Sequence, residues 1–157
     1  MMPPTQHSEL SAELYELLNG KELETKQHEA MMLMTVTEEG WPHTAMISVG
    51  EVIALDTKRV RLAMWSGTTT TRNMIRTEKA TLSFAFAGQM HYIKLALTRL
   101  PVLPAAKHPR ERFEAAIVGV RSDSARYADI ETGIQIELKD GESVLRRWQE
   151  TLAELLL

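Results

Sequence analysis

The stretch Trp65-Ser66-Gly67-Thr68-Thr69-Thr70-Thr71-Arg72-Asn73 joins two segments of different character. The apolar run Val60 to Met64 precedes it and predicts a strand, and Asn73 to Thr77 predicts a short helix. Backbone N–H groups at a helix start point outward, and the helix dipole favours an anion there. Threonine hydroxyls and the Arg72 guanidinium add directed donors. The stretch therefore predicts either a phosphate site or a helix start rich in capping residues.

The composition limits the classes of protein that the chain can belong to. Its 157 residues suit one domain, 1–157, and its net charge of −3 gives no bulk support to nucleic-acid binding. It has no cysteine, which excludes disulfides and thiolate metal sites and fits a reducing compartment. No apolar run approaches the roughly 18 residues of a membrane span, and we see no signal peptide. We therefore expect a cytoplasmic protein without membrane or nucleic-acid partners.

Helical periodicity occurs near both ends of the chain and once between them. Residues 8–19 predict an N-terminal helix that stops at Asn19-Gly20, and residues 143–157 predict a leucine-rich C-terminal helix. Residues 110–120 predict a third helix, since apolar side chains recur there on one side. The polar segment 22–29 predicts either a further helical turn or a linker.

Apolar and alternating runs predict six strands between these helices. The predicted strands are 30–37, 43–55, 60–64, 80–86, 90–100 and 130–138. Gly50 interrupts the second of them and predicts a bulge. Short turns join the first five strands, which favours antiparallel pairing over parallel units with crossover helices. The sequence thus predicts a mainly β fold with flanking helices, in which residues 30–138 form a closed or nearly closed antiparallel barrel.

The residues offer no obvious catalytic group. None of the five histidines has the spacing of a metal site, and there is no nucleophile elbow, Walker loop or Rossmann glycine pattern. We find no clear general acid or base either. Any chemistry is therefore expected to be carried by a bound cofactor.

From Met31 through Leu100 the chain resembles the FMN-binding split β-barrels of the pyridoxamine 5′-phosphate oxidase-like superfamily. The matching features are Gly40-Trp41-Pro42 after a strand, the long strand from His43, the hydroxyl-rich loop, and Asn73-Met74 before the strand at Ala80. That family commonly has a Ser-x-Lys or Ser-x-Thr pair in the loop.

The resemblance has two departures that bear on function. Thr68 and Thr70 take the positions of the loop pair, so the usual lysine is replaced and the nearest cation, Arg72, comes two residues later. The early arginine of the second strand and the C-terminal Arg-x-His pattern of true pyridoxamine phosphate oxidases are absent. The chain therefore looks like a general stress or flavin-binding type rather than a true oxidase of vitamin B6.

The resemblance implies a homodimer with FMN at the subunit interface. The implied phosphate contacts are Thr68, Thr70, Thr71 and Arg72. The implied contacts of the isoalloxazine ring are His43, Thr44, Ala45 and Met46, with Met64, Trp65 and Ser66 beside them. The partner subunit would approach the flavin through Gln89 or His91.

Three functional hypotheses follow. The first is an FMN-binding, flavin-dependent oxidoreductase of an undefined small-molecule substrate. The second is a non-catalytic module that binds a flavin or haem, and the third is a barrel whose threonines act only as caps. Residue chemistry does not distinguish FMN from a deazaflavin or haem. It also does not decide whether the C-terminal helix covers its own barrel or a second subunit.

Overall fold

The structure is a computed structural model that describes residues 5–157. The strands of this part of the chain are β1 Thr5–His7, β2 Ala30–Val36, β3 Pro42–Ser48, β4 Val52–Ala54, β5 Arg59–Met64, β6 Lys79–Phe86, β7 Gln89–Arg99 and β8 Glu111–Asp123. Its helices are α1 Ala12–Leu18, α2 Leu23–Lys26, α3 Thr69–Thr77 and α4 Gly141–Leu155. The prediction of a mainly β fold with flanking helices is confirmed.

All strands belong to one antiparallel sheet, and its order explains why it curls. The order is β3-β2-β6-β7-β8-β5-β4, and β1 pairs with the far end of β8. β3 and β4 therefore lie at opposite edges, although only residues 49–51 separate them in the chain. So short a connection requires the two edges to approach each other. The sheet consequently curls into an open barrel with a seam between β3 and β4.

The predicted count of six strands is wrong, partly because the predicted strand 43–55 divides at this seam. Gly50 lies in the turn between β3 and β4 rather than in a bulge. The Trp148 indole of α4 packs directly on it, so that a Cβ on Gly50 would lie 2.0 Å from Trp148 Cγ. Ser48 Oγ closes the turn by donating to Glu51 Oε1 over 2.8 Å.

The predicted helix 110–120 is also wrong, because these residues belong to β8. Lys94 pairs with Gly119 while Leu95 pairs with Ile117, which leaves Val118 as an extra, exposed residue. Such a bulge shifts the alternation of side chains along a strand. The buried apolar positions are therefore Phe113, Ala115, Ile117 and Val120, and the three large ones, spaced by four and three residues, imitate one face of a helix.

The predicted strand 130–138 is not part of the sheet. Gln135 forms a single isolated bridge with Glu29, and the Ile136 amide donates to the His28 carbonyl over 2.8 Å. The segment thus runs beside the start of β2 without extending a ladder.

α1 and α4 lie close to their predicted positions, α3 begins four residues before its predicted start at Asn73, and α4 covers the chain's own barrel. α1 begins at the cap Ser11, whose hydroxyl accepts from the Leu14 amide. α4 buries Trp148, Leu152 and Leu155 in the same core as the sheet. Within residues 5–157, every helix is too short or too polar to cross a membrane.

Candidate functional site

The start of α3 is organised by threonine side chains. Thr68 is the N-cap, and its Oγ accepts from the Thr71 amide over 3.1 Å. Thr71 Oγ in turn donates to the Trp65 carbonyl over 2.6 Å. Gly67, at a φ of 77°, supplies the left-handed turn that the loop needs. The capping interpretation thus describes what the hydroxyls of Thr68 and Thr71 do in this structure.

Other donors at the same helix start remain open. Within residues 5–157, the amides of Thr69 and Thr70 donate to no protein acceptor, as expected for the first turn of a helix. The Arg72 side chain folds over the loop and donates to the Gly67 carbonyl and to Thr69 Oγ. No carboxylate of the described chain lies within 4.0 Å of this guanidinium. An exposed cation and two free amides therefore meet at one point.

A buried amide fixes the position of α3 on the sheet. Asn73 is 3% exposed, and its Nδ2 donates to Thr35 Oγ on β2 over 3.0 Å. Arg76 donates to Asn73 Oδ1 over 3.1 Å and also to the Val36 carbonyl. Asn73 is thus a positioning residue that we did not predict as part of the site. The Asn73-Met74 pair, which carries part of the family resemblance, was the signal that could have found it.

The four predicted ring contacts on β3 divide between two faces of the sheet. His43 is paired with Thr35 and so faces the side on which α3 lies. Thr44 and Met46 point to the outer face and are exposed there. Ala45 shares the side of His43. Because side chains alternate along a strand, this run cannot line one ring with all four of its side chains.

The outer face carries a groove of about 650 Å³. It combines exposed apolar side chains with threonines and two lysines. Its principal lining residues are Met34, Val36, Thr81, Lys79, Lys94 and Val118. Met46 continues the apolar surface toward the edge of the sheet. The face thus offers both apolar area and positive charge to a ligand or to a second subunit.

Trp65 stands beside the threonine loop and is 56% exposed. The Arg110 guanidinium carbon lies 3.6 Å from the centroid of its ring, which is a cation–π contact. Met64 faces the core instead, and Ser66 is exposed. Sequence reasoning missed Arg110 because the contact is remote in sequence and residues 110–120 were predicted as a helix.

His91 and Gln89 lie at the start of β7. The His91 ring is 4% exposed, with Nδ1 2.8 Å from Ser122 Oγ and Nε2 2.9 Å from the Phe86 carbonyl. Because a carbonyl only accepts, Nε2 carries the proton and Nδ1 accepts from the hydroxyl. Both ring nitrogens are thus engaged within the subunit. Gln89 is half-buried, and its contact with a partner's flavin stays a prediction.

The His91 ring, held at both nitrogens by hydrogen bonds, predicts that the stability of the fold depends on pH. Burial lowers the pKa of His91, so the folded protein holds this ring neutral. In the unfolded chain a histidine binds a proton near pH 6.5. Above that pH the contribution of the neutral His91 ring to the stability of the fold is complete. As the pH falls below that value toward the lowered folded pKa, this contribution is lost. We expect the thermal midpoint to fall between about pH 7.5 and about pH 5.5. His91→Gln should flatten that fall, and an unchanged slope would contradict the assignment.

Comparison with known proteins gives the family of the chain. No protein-family model matches it. It is 47% identical over 146 residues to the uncharacterized protein YclD of Bacillus subtilis, an alignment that covers 93% of this chain and 95% of YclD. The chain belongs to the YclD family. The alignment spans nearly all of both proteins, so YclD shares this whole domain.

Solved structures identify the fold of this chain. A protein of Lactobacillus delbrueckii, provisionally described as a pyridoxamine 5′-phosphate oxidase, matches with a TM-score of 0.59 and 16% identity, over 76% of this chain and 98% of its own. HupZ of Group A Streptococcus matches with a TM-score of 0.55 and 13% identity, over 82% of this chain and 99% of its own. The resemblance to the pyridoxamine 5′-phosphate oxidase-like split barrels is thereby confirmed at the level of fold.

Proposed function

We propose that the protein binds FMN and acts as a flavin-dependent oxidoreductase on a small-molecule substrate. The observation that carries this proposal is the open start of α3, where free amides and Arg72 meet on a split-barrel fold. A helix start with free amides and a directed cation suits a phosphate. The fold is shared with a protein provisionally described as a pyridoxamine 5′-phosphate oxidase, and the family resemblance implies FMN.

The residues at the start of α3 fit a phosphate group, but the threonine hydroxyls have a different role from the one that the family resemblance implies. The amides of Thr69 and Thr70 and the Arg72 guanidinium are the donors still open to a ligand. The hydroxyls of Thr68 and Thr71 hold the loop in shape through their contacts with Trp65. In this proposal Arg72 gives the charge, and the threonine hydroxyls mainly preorganise the amides.

The ring would lie near side chains that share the side of the sheet on which α3 lies. Trp65 offers an exposed aromatic ring beside the loop, and His43 and Ala45 are half-buried on that face of β3. FMN, when bound, supplies reversible transfer of electrons or hydride. The chain's own part is to anchor the phosphate, orient the ring and exclude water from it.

We also propose that two subunits form a homodimer with the flavin at their interface. The exposed apolar side chains on the outer face support this, since a surface of that kind needs a cover. Gln89 of the partner subunit would approach the flavin. A cytoplasmic setting, which the lack of cysteine suits, completes the proposal.

A binding module without turnover is the second candidate. The observation that favours it is His91, the predicted contact from the partner subunit, whose ring nitrogens are both occupied within its own subunit, so that this histidine is no free proton donor. The two functions separate when a reduced nicotinamide is added anaerobically to the flavin-loaded protein. Bleaching of the flavin absorbance supports the oxidoreductase, and a flavin that stays oxidised excludes turnover with that donor.

The phosphate contacts can be tested directly by titrating the purified protein with FMN and following flavin fluorescence. Arg72→Ala should weaken FMN binding by about tenfold to a few hundredfold, since a charge-assisted hydrogen bond contributes roughly 1.5–3 kcal/mol. Arg146→Ala removes another exposed arginine, from α4, and should leave the affinity unchanged. An unchanged dissociation constant in Arg72→Ala would show that the phosphate lies elsewhere.

A further inference from the structure

A groove lies between α1, α2 and the turn that joins β6 to β7, and it is called the α1 groove below. It has a volume of about 510 Å³. Pockets that hold small molecules in proteins usually have volumes of about 300–1,000 Å³. The α1 groove therefore has the size of a small-molecule site.

Apolar residues form the floor of the α1 groove. They are Ala12, Leu17, Phe86 and Ala87. Leu17 is 3% exposed, so the half-buried Phe86 and the two exposed alanines give most of the free apolar surface. The backbone of Phe86 is held in place, because its carbonyl accepts from His91 Nε2 over 2.9 Å. A ligand can thus bury an apolar body beside an aromatic ring.

Three glutamates line the same groove. Glu13 and Glu16 are exposed on α1, and side chains three residues apart lie on one face of a helix, with Cβ atoms about 5–6 Å from each other. Glu29 is half-buried just before β2. Within residues 5–157, none of the three carboxylates has a cationic nitrogen within 4.0 Å. Burial raises the pKa of Glu29, although the nearby His28 acts in the opposite direction.

The lysine of the lining does not pair with these carboxylates. Lys26 is 9% exposed, and its ammonium group donates to the Glu16 carbonyl and, over 2.9 Å, to Asn19 Oδ1. It therefore holds the end of α1. The lining has three carboxylates and one ammonium group, which leaves an excess of two negative charges.

Negative charge beside an apolar floor indicates which kind of ligand fits. An anion would be repelled, and a neutral apolar molecule would gain nothing from the carboxylates. Among residues 5–157, no three histidine, aspartate or glutamate side chains converge as ligands of a metal ion. An organic cation fits both features, because its N–H groups donate to carboxylates and its apolar body packs on the floor.

We propose that the α1 groove binds a protonated organic amine, whose ammonium group donates to the glutamates of the lining and whose apolar body lies against Phe86. The excess of negative charge supports the cation, and the volume and the floor support the body. None of the predicted phosphate contacts lines this groove.

The test titrates the purified full chain with 2-phenylethylamine, without added flavin and at constant ionic strength, by calorimetry and by thermal unfolding. At about pH 7.5 the amine is protonated, as a lysine side chain is. We expect saturable binding and a rise in the unfolding midpoint. 2-Phenylethanol has the apolar body without the charge, and methylammonium has the charge without the body, so each should bind at least about tenfold more weakly. Equal binding of either control, or no saturable binding of the amine, would overturn the proposal.

Paired charge variants test the glutamates. Glu13→Gln combined with Glu29→Gln keeps the size of both side chains and should weaken amine binding by about threefold to thirtyfold. Glu38→Gln combined with Glu39→Gln removes the same charge from the turn between β2 and β3 and should leave the affinity unchanged. Equal losses in the two pairs would show that net charge attracts the amine and would contradict a site in the groove.

A variant that narrows the groove tests its floor without changing the charge. Ala12→Leu places a larger side chain in the groove and should weaken amine binding by about tenfold or more, while leucine keeps a high helix propensity in α1. Ala153→Leu is the matched control at an exposed position of α4 and should bind normally. Wild-type affinity in Ala12→Leu would place the amine elsewhere.

Discussion

Gly50→Ala is expected to destabilise the protein by about 3 kcal/mol or more, near the upper end of what overpacking a core causes. The added Cβ would lie 2.0–2.4 Å from three atoms of the Trp148 ring, closer than any real contact. The indole is 5% exposed and packed among the core side chains, so it cannot move aside freely. Chemical denaturation followed by circular dichroism measures the loss.

Gly119→Ala is the matched control for this prediction. Gly119 also lies outside the left-handed region, and a Cβ there would meet only the His7 carbonyl at 3.9 Å. We expect a change within about 0.5–1 kcal/mol, the usual size for a substitution without a clash. Combining Gly50→Ala with Trp148→Leu should cost less than the sum of the single changes. Strict additivity of the two would show that the indole is not what the new methyl group meets.

Asn73→Leu is expected to lower the free energy of unfolding by about 2–4 kcal/mol, since it removes both hydrogen bonds of a buried amide. Thr35 Oγ would lose its donor, and Arg76 would lose one of its two acceptors. The same change would loosen α3 on β2 and with it the helix start that carries Arg72. We therefore expect weaker FMN binding as well as lower stability.

Two further variants test the role of the amide. Asn73→Asp keeps an acceptor for Arg76 but removes the donor to Thr35, so its loss should be smaller. Ile75→Ala alters a partly exposed side chain of the same helix and should have little effect. A full-sized loss in Ile75→Ala, or none in Asn73→Leu, would contradict the assignment of Asn73 as the anchor of α3.

Local alternation and turn chemistry predicted much of the sheet. β2, β5, β6 and β7 agree with the predicted strands to within one residue at each end. These strands are joined to their neighbours by short turns or by one short helix, so their patterns are readable from nearby residues. β8 was missed because the bulge at Val118 gives its large buried side chains a helical spacing.

The candidate site was predictable where it depends on local chemistry. The run Thr68–Thr71 indicated a helix start with an anion-binding character, and Thr68 is indeed its cap. The contacts of Arg110 with Trp65 and of Asn73 with Thr35 join segments far apart in the sequence. Such contacts depend on how the barrel closes, and no short pattern encodes them.

The seam between β3 and β4 has a consequence for aggregation. Both are edge strands, and each has one side on which its backbone groups pair with no neighbouring strand of the sheet. Exposed edges readily pair with strands of other chains. α4 holds the two edge strands together, because Trp148 packs on the turn that joins them. Contacts between segments so distant in sequence are costly to form early in folding. Weaker packing of Trp148 should therefore raise the unfolding rate and expose both edges to pairing with other chains.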